Sequence, residues 1–272
     1  MIEITTEAAR ATLKAIDAGL ISSVGERRAG KMCVEAAISY ALGLPHGDRP
    51  DCVDEAVIEF SIRLNDCRWS SPKKRAAGLR RLALAQLGSA GVITGCNFSR
   101  AMVEHAIRRV LPISMRAAAQ DSPLDEACSL LHQAAIQCEQ SDLIPALVSA
   151  MNAGRYAVQC GYRNASEGYR SAAATSDIAA ARTFAMRAEA PAKSADMSQF
   201  VMLAVDDLVH ALDRSKKDDP TAGFTISRAV QFATERLSTE QRDEILASVA
   251  EAGVQALINL RSPGTEFLTL SA

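Results

Sequence analysis

The chain has 272 residues, 48% hydrophobic, 23% charged and only 4% aromatic, with a net charge of −2. That composition excludes a disordered chain and gives no global attraction to nucleic acid or acidic lipid. With so few aromatics the core must be filled by Ala, Leu, Ile, Val and Met, which suits helices packed at close range.

The start, Met1 to Glu7, has neither the basic nor the apolar region of an export signal. No stretch approaches the roughly 18 uncharged apolar residues of a membrane span. The expected compartment is therefore the cytoplasm, with no membrane contact. Seven cysteines, at 33, 52, 67, 96, 128, 138 and 160, follow no repeating spacing. They read as reduced thiols in helix cores.

In chain order, a first helix is expected from about Thr6 to Ala18, with Ala9, Leu13, Ile16 and Leu20 on one stripe and Gly19 just past its end. A second covers Lys31 to Leu42 and stops at Gly43-Leu44-Pro45. A third spans Val53 to Asp66, capped by Asp48 or Asp51. Ser71-Pro72 is an N-cap followed by a proline whose missing N–H costs nothing, opening a helix to about Leu87 before Gly88 and Gly91. Another runs from Ser99 to Leu111 and ends at Pro112.

Ser122-Pro123-Leu124-Asp125 repeats the cap-and-proline pattern and opens a helix to about Cys138. Residues 142–190 are helical, with Ser171 to Ser176 a shallow helical connector and Ala190 to Ser194 a linker. Three long helices follow at about 195–213, 220–236 and 239–259, the last opened by a capping box of Ser238 and Gln241. A turn at Arg261 to Thr265 leads to the short apolar segment Phe267 to Leu270.

No strand pair, hairpin turn or βαβ rhythm appears, and no fixed repeat period. The expected fold is all-α, an irregular multi-helix bundle of about 9–11 helices. It divides into an N-terminal module 1–120, an Ala-rich middle 121–190 and a C-terminal bundle 191–272, or forms one compact domain.

Several stretches carry a resemblance. They are Gly30-Lys31-Met32-Cys33-Val34-Glu35-Ala36-Ala37, Leu42-Gly43-Leu44-Pro45-His46-Gly47-Asp48-Arg49-Pro50-Asp51-Cys52-Val53, Ile62-Arg63-Leu64-Asn65-Asp66 with Trp69-Ser70-Ser71, and the run from Gly78 to Ser89. Together they resemble a family of uncharacterised bacterial and phage-borne proteins. Its members share a similar N-terminal module, an Ala-rich middle that swells into Ala/Tyr repeats, and a C-terminal helix before a Pro-Gly-aromatic-Leu-x-Leu tail. The resemblance covers most of the chain, but the middle is compressed here to about 171–190 and lacks the tyrosine repeats. It implies no activity, since none is known for the family.

Three constellations could carry chemistry. In the first, Cys33, His46, Asp48 and Cys52, with Glu35 and Cys67 nearby, supply the thiolate, imidazole and carboxylate groups that bind Zn²⁺. Their spacing matches no established zinc motif. The structural alternative is a rigid turn at Gly43 to Pro50 with Cys33 and Cys52 packed inside it. The same residues allow a Cys33 nucleophile with His46 as base.

In the second, Cys128 and His132 share a helix face, with Cys138 further along. The third is a basic run in which Arg68, Lys73, Lys74, Arg80 and Arg81 are the anion-binding candidates, with Arg63, Arg75 and Trp69 among them. Lys73, Lys74 and Arg75 in a first helical turn oppose the helix dipole, which hints at a use beyond stability. The alternative is a solvated face with acidic neighbours folded against it. Asn65-Asp66 is a polar helix end that reads either as a site or as an ordinary terminus.

No phosphate-binding loop, nucleophile elbow or His-Glu-x-x-His motif is present. No cofactor is indicated. The leading expectation is a non-catalytic helical protein acting through protein–protein contacts, as a scaffold or by self-association. The alternatives are an enzyme or metal-binding protein with its site in residues 33–67, and an anion or nucleic-acid binder using the basic helix 72–81.

Overall fold

The structure, a computed structural model, describes residues 4–122, 124–174 and 178–271, without the side chains of 169, 171–174, 178–188, 190, 191, 194 and 271. Among the described residues the fold is all-α, with eleven α-helices and no sheet. None of those helices is long and apolar enough to cross a membrane.

Helices α1 (Thr6–Asp17), α2 (Val34–Ala41), α3 (Glu55–Asp66), α4 (Pro72–Ala85) and α5 (Gly95–His105) open the chain. A π turn, Ala106–Val110, leads into α6 (Leu111–Gln120), followed by α7 (Asp125–Gln140), α8 (Leu143–Ala174), α9 (Ile178–Lys216), α10 (Thr221–Thr234) and α11 (Thr239–Asn259). A 3₁₀ helix, Pro263–Ser271, closes it.

Two of the caps are as the sequence predicts. Ser71 Oγ accepts from Lys74 N at 3.1 Å with Pro72 in the first turn. Ser238 and Gln241 form the reciprocal capping box.

Other boundaries differ, each for a physical reason. Helix α2 starts at Val34 rather than Lys31, because Gly25 and Met32 form a bridge that keeps residues 25–32 in a turn. Asp54, not Asp48 or Asp51, caps α3, since Val53 N bonds to Pro50 O and residues 50–53 form a turn of their own. Helix α7 begins at Asp125 with Leu124 as its N-cap; the Leu124 N–H donates back to Ser122 Oγ at 3.4 Å. Pro123 lies outside the described residues.

Pro112 opens α6 instead of ending a helix. The π turn widens the backbone just before it, so the proline falls where a donor is dispensable. That turn also carries Arg108, whose Nη1 donates to the carbonyls of Glu139 and Ser141 at the end of α7, at 3.3 and 3.2 Å. The predicted linker at 190–194 is helix, inside α9. The alanines around Pro191 are the strongest helix formers, and one lost hydrogen bond does not break so long an element. Helix α8 runs to Ala174, so residues 171–174 of the predicted connector are helical; 175 and 176 lie outside the described residues.

The chain forms two compact units, Met1–Ala106 with Asp207–Gln231 and Ser238–Ala272, and Ile107–Asp206 with Phe232–Leu237. In the first, α4 is central and packs on α1, α2, α11 and the 3₁₀ helix. Its inward side, Ala76, Leu79, Leu82 and Leu84, is buried. Phe60 of α3 meets Phe98 of α5 edge to face, their centroids 5.4 Å apart. In the second, α7 packs against both α6 and α8. Buried Ala146, Ala150, Ala153 and Ala157 of α8 allow that close approach.

Candidate functional site

Residues 30–89, where the sequence places its unusual polar groups, build a buried hydrogen-bonded cluster. Glu35 stands in the first turn of α2, where every residue from Val34 to Ser39 is buried, and its own exposure is 0%. Gln86 Nε2 donates to Glu35 Oε1 at 2.8 Å, and Ser61 Oγ donates to Gln86 Oε1 at 3.0 Å. Glu35 Oε2 has no partner.

Burial pushes the carboxyl up to about 8; the hydrogen bond from Gln86 and the nearby Ser61 hydroxyl pull the other way, and the Asp48 charge adds to the rise. Burial thus favours the neutral, protonated form of Glu35.

Asn65, at the end of α3, ties three segments together. Its Oδ1 accepts from Val34 N at 3.2 Å, its Nδ2 donates to Ile21 O at 2.9 Å, and its carbonyl accepts from Arg75 Nε at 2.7 Å. Arg75 Nη1 also donates to Leu20 O at 3.0 Å, so this buried guanidinium satisfies backbone carbonyls. The polar helix end is therefore a structural clamp.

The metal candidates fall apart around this cluster. Among the described residues no three His, Cys, Asp or Glu side chains are grouped to hold a metal ion, so Cys33, His46, Asp48 and Cys52 do not converge on one. Cys33 caps α2, with Ala36 N donating to its Sγ at 3.4 Å. Burial pushes its thiol up to about 12, the reverse of what a nucleophile or thiolate ligand needs. Cys52 is buried and its pKa is likewise raised by burial. His46 Nε2 donates to Gly25 O at 3.0 Å, bracing the turn. Cysteines 96, 128 and 160 are half-buried, and all seven are free thiols.

The basic run divides. Arg80 binds Asp17 with two nitrogens, at 2.8 and 3.2 Å, and Arg81 binds Glu251 at 2.9 and 3.3 Å. Acidic neighbours thus fold against two of the five predicted anion-binding residues. Arg68 is exposed and its carbonyl accepts from Arg242 Nε at 2.8 Å. Lys73 and Lys74 stay exposed, with no ion pair among the described residues.

Lys74 instead lines a groove of about 650 Å³ between the starts of α4 and α11, with Trp69, Ser70, Ala77 and Gly78 on one side and Thr239, Glu240, Asp243, Glu244 and Ala247 on the other. Trp69, only 8% exposed, forms its floor, and its Nε1 donates to Leu64 O at 3.0 Å. The ring lies so close to α4 that a Cβ on Gly78 would stand 2.3 Å from it. Ser70 N donates to Asp243 Oδ1 at 3.0 Å, and Ser70 Oγ to Asp243 Oδ2, joining the two walls.

Sequence reasoning places Trp69 beside Lys74 but misses the facing acids. They lie some 170 positions away (243 against 70), and no local pattern could pair them. Gln86 and Ser61 are missed too, although Ser61 and Asn65 sit four apart on the same side of α3 as Val57 and Leu64, a weak sign of a buried polar face.

Compared with protein-family models, with curated proteins and with solved structures, the chain finds no match in any of the three.

Proposed function

We propose that the chain is a non-catalytic helical protein of the cytoplasm that acts through protein–protein contacts and associates with a second copy of itself. The observation that carries this is where its exposed apolar side chains gather. Ten large hydrophobic residues are exposed among those described, and six of them, Ile113, Ile136, Ile144, Val148, Tyr162 and Leu203, lie in the second unit.

Ile144 and Val148 are 60% and 55% exposed, and they stand four apart on one face of α8. Ile136, on the preceding helix, is 46% exposed. Apolar groups left in water on one helix hairpin are a cost that association removes, at roughly 25 cal/mol per Å² buried.

Sedimentation velocity over a wide concentration range tests the reading. The chain should sediment as a dimer or larger species, and Ile144→Glu with Val148→Asp should return it to monomer without loss of helicity. A strict monomer at every concentration sinks self-association, as does a double variant that still assembles.

A further inference from the structure

We infer that the groove between the starts of α4 and α11 is a docking site for an arginine-bearing segment of a partner protein. The groove belongs wholly to the first unit and does not depend on self-association through α8.

Three observations converge on it. The first is shape and floor. A groove of about 650 Å³ has Trp69 at its base and the small residues Ala77, Gly78 and Ala247 in its walls, giving a largely apolar groove with room for a short segment of chain. Gly78 has a specific cause here: α4 forgoes a methyl group at mid-helix because the indole fills that place. A glycine there costs the helix up to about 1 kcal/mol, so the indole is held in the slot at the expense of the helix.

The second observation is charge. Three carboxylates, Glu240, Asp243 and Glu244, face a single ammonium, Lys74. Asp243 is occupied in holding Ser70, whereas exposed Glu240 and Glu244 make no ion pair among the described residues. They stand four apart on α11, where like charges repel. An incoming cation relieves that repulsion.

The third is the match between an aromatic floor and a carboxylate rim. A guanidinium is flat and weakly hydrated; it stacks on an indole while its fork reaches carboxylates at the edge. An ammonium offers the charge without the stacking. A second copy of this chain, with its own net charge of −2, complements the rim less well than a basic segment does.

Trp69 is the only tryptophan, so its fluorescence reports occupancy directly. The probe is a short blocked peptide carrying arginines and leucines in a Gly/Ser frame, with the same peptide bearing glutamate for arginine as its control. The arginine peptide should shift Trp69 emission saturably, and added salt should weaken it. The double variant Glu240→Gln, Glu244→Gln alters only exposed positions and should bind about tenfold more weakly. Lys74→Gln, a second variant with an independent sign, should bind no more weakly than the wild type.

No saturable shift, equal binding of the glutamate peptide, or unchanged affinity in the double variant each overturns the inference. So does a Trp69 shift produced by raising the protein concentration alone, which would assign the groove to a second copy. Failure of the α8 variants to alter sedimentation leaves these measurements unaffected, so the two proposals fail separately.

Discussion

Replacing Glu35 by Gln tests the buried cluster through the pH dependence of stability. Glu35 has no exposed surface, and its carboxyl is raised from 4.5 to about 8, chiefly by burial. The folded state therefore keeps a proton that the unfolded chain releases. Stability from this group is full below about pH 4.5, falls as pH rises between the two values, and levels off above about 8. Over that whole window the loss is roughly 5 kcal/mol, at about 1.4 kcal/mol for each pH unit crossed. Between about pH 5 and pH 7.5 it is roughly 3 kcal/mol by the same relation.

The glutamine of Glu35→Gln does not titrate, keeps an acceptor for Gln86 Nε2, and presents an amide where the acid held its proton. Urea unfolding followed by Trp69 emission reads the unit that contains Glu35. With a slope of about 3 kcal/mol per molar urea, the midpoint of Glu35→Gln should gain about 1 M on the wild type between those two pH values. Groups common to both proteins cancel in that comparison. Parallel pH profiles would falsify the neutral-acid assignment, and a wild type that gains on the variant as pH rises through the carboxylate range would mean that Glu35 is ionised and paired.

Two further substitutions probe the same unit. Asn65→Ala leaves Val34 N and the Ile21 carbonyl without their side-chain partner, so urea unfolding should show a loss of about 2–6 kcal/mol, at about 1–3 kcal/mol per orphaned group. Asn65→Asp should lose more, because it sets an acceptor against the Ile21 carbonyl; an Asp variant as stable as the wild type would refute the clamp. Gly78→Ala should destabilise by about 1–3 kcal/mol and shift Trp69 emission to the red, because the new methyl displaces the ring. Helix propensity alone predicts a gain of about 1 kcal/mol at this position, so the sign of the measured change decides.

Legibility in the sequence follows the range of the interaction. The Ser71-Pro72 start and the Ser238 and Gln241 box close within three or four residues, and both are readable. Where a local pattern competes with another element it misleads. Ser122 looks like a cap, yet α7 starts later, and Pro112 looks like a stop, yet a π turn absorbs it.

In the sequence, residues 30–89 stand out through Cys33, His46 and Cys52, residue types associated with metals. What the fold uses there is Glu35, Ser61, Asn65 and Gln86, residue types that carry no motif. The basic helix is visible as charge alone, and only packing shows that Asp17 and Glu251 engage two of its arginines while Lys74 turns to a groove.

By itself, then, the sequence determined the all-α class, most helix positions and the two firm caps, because helix period and capping are short-range properties of neighbouring residues. Tertiary structure alone decided which polar groups are buried, which charges are paired, and that Trp69 faces Glu240 and Glu244. Those outcomes depend on partners far apart in the chain, brought together only when α4 is enclosed by α1, α2 and α11.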